Sequence, residues 1–183
     1  MTSRQGTASV IPESSVIQRI AGFAAALVAA AFIPVAGAAE PATFTLKHLT
    51  PETALKAAQA ALAQCRKSGY QVTVAVVDRS GLTQALLRDR FAGPHTLEVA
   101  TNKAWSAVTF RTNTGELEKL TRPGQSMSGL RHVPRMTAIG GGQMIEGGGS
   151  LLGAIGVSGA PGGEADDACA AAGIKAIADD LEF

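Results

Sequence analysis

The sequence predicts an α+β fold, an antiparallel sheet of about five strands covered by helices. Three observations predict it. The β-branched run Val72–Val77 meets the turn Asp78-Arg79-Ser80-Gly81 and returns as Leu82–Arg88, and strands joined so tightly must be antiparallel. No helix follows the first strand, as a Rossmann-type opening would require. Helical periodicity brackets the rest, beginning after Thr50 and again at Ala165.

The first 38 residues stand apart from this pattern. Arg4 and Arg19 precede an apolar run, Ile20–Val35, that ends in Ala36-Gly37-Ala38. Positive, apolar, then small is the order of a secretory signal peptide, and the run is shorter than the roughly 20 residues of a membrane span. An uncleaved anchor helix is the alternative. Residues 1–38 are therefore expected to be a signal peptide and 39–183 a single domain, periplasmic or secreted, with no membrane span after cleavage.

Thr50-Pro51-Glu52 places a capping hydroxyl, a proline and an acid where a helix begins. Leu55, Ala58, Leu62 and Cys65 recur at helical spacing, and Gly69 stops the helix. After the hairpin, Phe91-Ala92-Gly93-Pro94 is a loop. A second helix is predicted over Thr96–Thr109, its apolar stripe formed by Leu97, Ala100, Ala104, Ala107 and Val108. Thr114–Leu120 fits a short helix ended by Arg122-Pro123-Gly124, and Gln125–Pro134 an irregular loop. Thr137–Ile139 leads into the glycines Gly140–Gly142. Gln143–Ile145 and Leu151–Val157 are strand candidates around a turn at Gly147–Gly149. The last helix is predicted over Ala165–Leu181, with Ile174, Ile177 and Leu181 on one face.

Composition excludes some classes of function. Arg4, Glu13 and Arg19 lie in the expected signal segment, so the formal +1 of the whole chain becomes a balanced charge in the remainder. There is no basic run, and one Trp and one Tyr give little for base stacking, so no nucleic-acid partner is expected. The glycine triplets lie between strands with no Lys-Ser/Thr after them, which favours tight turns over phosphate binding. Cys65 and Cys169 are an even pair in an exported chain and predict a disulfide, worth about 4 kcal/mol for a loop of about a hundred residues. Two free buried thiols are the alternative. No C-x-x-C-H motif is present, so covalent c-type heme attachment is not expected.

Four segments taken together are familiar: VAVVDRSG with its following strand, GPHTLEVATNKAWSAVTF, GGGQM, and GAIGVSGAPGGEADDACAAAGI. They resemble the heme-binding GlcG/HbpS-like family, to which the C-terminal heme-binding domain of PduO-type proteins is related. The resemblance covers essentially all of residues 39–183, in the family's order. It implies a profilin- or PAS-like sandwich, a homo-oligomer, and non-covalent binding of b-type heme or a similar small planar ligand. One departure is Gly142-Gln143-Met144, where relatives often carry proline after the glycines.

His95 follows Gly93-Pro94 at the start of the second helix, and a neutral imidazole is a common axial ligand of heme iron. The Pro-His pair makes it the carry-over for the histidine that PduO-type domains use; a helix-start histidine serving backbone groups is the other reading. Lys103 and Arg111 are cations of the second helix that could meet a heme propionate or an anionic substrate, or lie on a solvated face. Met144 offers a soft apolar wall or a thioether ligand, or packs in the core. His132 and His48 read as surface rings, and Glu164, Asp166 and Asp167 as acids favoured by a helix N-terminus. These features favour exported heme capture, buffering or sensing over catalysis. The alternatives are an enzyme on a small organic acid or ketone, with His95 as acid/base and Lys103 or Arg111 as anion anchor, and a module whose assembly is its function.

Overall fold

Thr50 begins the ordered architecture as the sequence leads one to expect. In the computed structural model, which describes residues 41–182, its hydroxyl accepts a hydrogen bond from the Thr53 N–H at 3.2 Å. Pro51 and Glu52 occupy the first turn of helix α1 (Pro51–Lys67), and Arg66 and Lys67 its last, matching the helix dipole at both ends. The expected signal segment, 1–38, lies outside the described residues. The chain divides into two units, Met1–Phe44 and Thr45–Phe183, and the described helices and strands lie in the second.

Strand β1 (Thr73–Asp78) and β2 (Thr83–Arg88) form the predicted hairpin. The Asp78 carboxylate closes it by accepting the N–H groups of Ser80 and Leu82 at 2.8 and 3.0 Å. Helix α2 (Thr96–Phe110) and the short α3 (Thr114–Leu120) follow. Then come β3 (Gly142–Gly147), β4 (Ser150–Ser158) and α4 (Gly163–Lys175). The strand order is β2-β1-β4-β3, antiparallel throughout.

The described residues hold four strands, where about five were expected. Thr137–Ile139, which leads into the glycines, adds no strand; its Thr137 N–H donates to the Ser106 hydroxyl of α2 at 2.8 Å. The last helix is also shorter than expected. It stops at Lys175, and a 3₁₀ turn, Ala178–Leu181, tucks Ile177 and Leu181 into the core beside Leu49 and Leu152. Between Leu120 and β3 the loop contains one 3₁₀ turn, Ser128–His132.

Alternation along the strands divides the core. Val74, Val76, Ile155 and Val157 pack with Ala57, Ala61 and Ile177 on one face, under α1 and α4. Val77 and Ala154 pack with Ala104, Ala107 and Val108 of α2 on the other. Alanines dominate the buried stripe of α1, which brings its backbone close to the sheet. Cys65 and Cys169 are buried and bonded, tying α1 to α4 across 104 residues. Replacing both with alanine is expected to remove about 2–5 kcal/mol and lower the melting temperature by on the order of 10 °C, read by thermal unfolding with and without reductant. A reductant-insensitive melt would contradict this.

Candidate functional site

The loop between β2 and α2 is held from three sides. Asp89 is buried and bidentate to Arg66, at 2.7 and 3.0 Å, and its N–H donates to the Val72 carbonyl at 2.9 Å. The hydrogen bond from Arg66 holds the Asp89 carboxyl below the usual carboxylate range, against burial acting the other way. Arg88 donates to the Ala92 carbonyl. Thr96, at the start of α2, donates to the Gly93 carbonyl at 2.6 Å and shares a buried hydrogen bond with Thr73 of β1 at 2.7 Å. These contacts fix the residue between them, His95.

His95 is the N-cap of α2 but does not cap it with its side chain. The ring is exposed and packs over the backbone of Gly93, where an added Cβ would lie 2.7 Å from Cε1. It has no hydrogen-bond partner among the described residues, so both ring nitrogens are available. His95, Val99 and Lys103 recur at helical spacing along one stripe of α2, and all three line one cleft of about 650 Å³. The opposite wall is the loop from Ser158 to Gly163 that joins β4 to α4. Phe91, Ile139, Tyr70 and Gln71 also line it.

Lys103 is 2% exposed and lies neither on a solvated face nor free for a ligand. Its ammonium donates to Asp166 Oδ2 at 2.7 Å and to the Val157 carbonyl at 3.0 Å. Asp166 Oδ1 accepts the Ala160 N–H at 3.0 Å. The pair therefore ties α2 to the opposite wall of the cleft. Burial pushes the Asp166 carboxyl up, more than the Lys103 ammonium and the Ala160 N–H pull it down. Asp167 faces the other way, accepting the Gly141 N–H at 2.7 Å and a hydrogen bond from Gln143 Nε2 at 3.2 Å.

The structure brings His95 and Lys103 into one cleft and leaves two other candidates outside its lining. Arg111 is the exposed, left-handed C-cap of α2, eight residues or ~12 Å of helix beyond Lys103. Met144 packs against Val77, Ala104, Ala107 and Val108. His132 is exposed in the 3₁₀ turn, and His48 lines a different hollow. Sequence reasoning missed Phe91, Ile139, Tyr70 and Gln71 as lining residues. The one available signal was that Phe91 sits in a Gly/Pro loop with no periodic partner to bury it.

A second groove, about 700 Å³, lies beside α3 and the start of α4. Apart from glycines, its lining is Asn113, Gln143 and charged residues, without histidine or apolar side chains. The residues of the His95 cleft fit a heme better. They combine an unengaged imidazole, apolar side chains and Gln71, whose Oε1 is buried with no partner.

The family described as "Haem degrading protein HbpS-like" matches residues 49–175. A crystal structure of a double mutant of Streptomyces reticuli HbpS is 38% identical, with a TM-score of 0.69, covering 73% of this chain and 89% of that one. The crystal structure of a PduOC:heme complex is 30% identical, with a TM-score of 0.68, covering 71% of this chain and 95% of that one. The corrinoid adenosyltransferase PduO of Salmonella typhimurium is 33% identical over 103 residues, 55% of this chain and 31% of that protein, so the match spans about a third of its length. With its four-stranded antiparallel sheet and flanking helices matching these structures, the chain belongs to the HbpS-like family.

Proposed function

We propose that this protein binds heme non-covalently in the cleft between α2 and the β4–α4 loop, where His95 would ligate the iron. The observation that carries this reading is the exposed, unpartnered imidazole at the rim of an apolar-sided cleft. The similarity to a PduOC:heme complex supports the same ligand. Both cysteines of the chain are spent in the disulfide, which leaves no thiol for thioether attachment. When bound, heme supplies iron for ligand exchange and redox chemistry. The chain's own residues do the holding. His95 would ligate the iron, the Phe91 and Val99 side chains would exclude water from the ring, and the Gln71 amide on the cleft wall would supply a polar group beside it. Lys103 acts through Asp166, keeping the two walls together.

The role would be heme capture, buffering or sensing outside the cytoplasm. Export is supported by the apolar leader and by the disulfide, which persists in oxidising compartments. The alternative of acid–base chemistry on an organic acid needs a free cation near His95, and Lys103 is already committed to Asp166. The protein is further proposed to assemble with copies of itself. Leu82 and Leu86 leave apolar surface on and beside the edge strand β2; light scattering is expected to give a mass above the 18.6 kDa of one full-length chain, and a mass no larger than one chain would contradict assembly.

Hemin titration tests the ligand assignment. The wild type is expected to show a saturable Soret shift, and His95→Ala a weaker affinity with an altered band, while His132→Ala behaves as wild type. A wild-type spectrum in His95→Ala would remove His95 as ligand.

A further inference from the structure

Phe91 is 79% exposed, more than any other large apolar side chain among the described residues from Thr45 onward, and Ile139 is 51% exposed. Scattered exposed apolar residues are ordinary, but these two come from loops 48 positions apart in sequence and line the same cleft. Phe91 belongs to the loop before α2. Ile139 belongs to the segment before β3, two residues ahead of Gly141, whose backbone lies against the Lys103 ammonium. Val99, half-buried, stands one turn along α2 from His95. Ala92 beside Phe91 is buried and Asp89 is paired with Arg66, while the Phe91 side chain lies on the exposed side of this loop.

The charge distribution points the same way. The buried cation of the cleft is neutralised by Asp166, so the floor offers no free charge to an anion. What the cleft presents is the apolar surface of Phe91, Val99, Ile139 and the Tyr70 ring, with one imidazole, one amide and the hydroxyl-bearing residues Tyr70, Thr96 and Ser158. Such a lining recognises a ring by its faces and edges, whatever the ring carries at its centre.

Building on the heme reading, we propose that Phe91, Val99 and Ile139 grip the tetrapyrrole ring itself, so that the cleft also binds metal-free porphyrin. His95 then adds iron-dependent affinity to a ring site that exists without it. Recognition by ring and recognition by iron are separable in this arrangement, because the apolar residues and the imidazole come from different positions.

The experiment uses two probes, hemin followed by absorbance and protoporphyrin IX followed by fluorescence. They are titrated into the wild type, Phe91→Ala/Ile139→Ala and His95→Ala. The wild type is expected to bind both. The double variant is expected to lose about tenfold or more in affinity for protoporphyrin IX, since each truncation removes apolar contact area from the bound state. His95→Ala is expected to weaken hemin more than protoporphyrin IX. Both substituted apolar side chains are exposed, so unchanged melting temperatures will show that the fold is intact. If hemin binds the wild type and protoporphyrin IX does not, the inference falls and the heme reading stands. The same holds if the double variant keeps full affinity for protoporphyrin IX. If neither probe binds, both fall.

Discussion

Replacing Asp166 with alanine is expected to destabilise this protein by about 3–5 kcal/mol, the usual consequence of leaving one member of a buried ion pair alone. Lys103 is 2% exposed and would keep only the Val157 carbonyl, and the Ala160 N–H would lose its acceptor. Replacing Lys103 with methionine is expected to cost less. Asp166 would retain the Ala160 N–H, and its carboxyl, already pushed up by burial, is readily protonated. The two substitutions together are expected to cost less than the sum of the singles. Urea unfolding of the three variants measures this asymmetry, and equal costs for the two singles would contradict it. The pH dependence has a definite sign. With its folded value above the unfolded one, the Asp166 carboxyl contributes stability that is fully present below the ordinary carboxylate value. That contribution is lost as pH rises through the folded value. Relative to Asp166→Asn, whose amide cannot ionise, the wild type is therefore expected to lose stability as pH rises across that window.

Gly156→Ala is expected to be nearly as damaging, at about 3 kcal/mol or more. A Cβ at this position of β4 would lie 2.0 Å from the Ala100 carbonyl oxygen and 2.7 Å from the Ala104 nitrogen. Both are backbone atoms of α2, so no side chain can swing away; the helix itself has to lift off the sheet. Gly162→Ala is the control. It lies at the end of the β4–α4 loop with extended backbone, and nothing comes within 4 Å of an added Cβ. It is expected to change stability by no more than about 0.5 kcal/mol. Thermal melts of the two variants decide the matter, and similar values would show that α2 does not rest directly on β4.

The hairpin, the cap of α1 and the limits of α3 were legible because each rests on residues adjacent in sequence: Asp78 with Gly81, Thr50 with Pro51, Thr114 through Leu120. His95 was legible as the start of α2 for the same reason. What local pattern could not carry was the partnership of residues far apart. Asp166 looked like an acid favoured by a helix dipole, yet its carboxylate meets Lys103, 63 positions earlier, at 2.7 Å. Gly156 looked like one small residue of a strand, and its role appears only when α2 lies across it. Thr137–Ile139 stays outside the sheet, and its Thr137 N–H goes to Ser106, 31 positions earlier. Phe91 and Ile139 follow no period, because the feature they share is a cleft and neither belongs to a common element.

The cleft beside His95 is the proposed seat of heme. Crystals of the protein grown with hemin, measured at the iron absorption edge, test it most directly. One anomalous peak per chain is expected, at ligating distance from a nitrogen of His95 and between α2 and the Ser158–Gly163 loop. A peak in the charged groove beside α3, or one held by other residues, would contradict it.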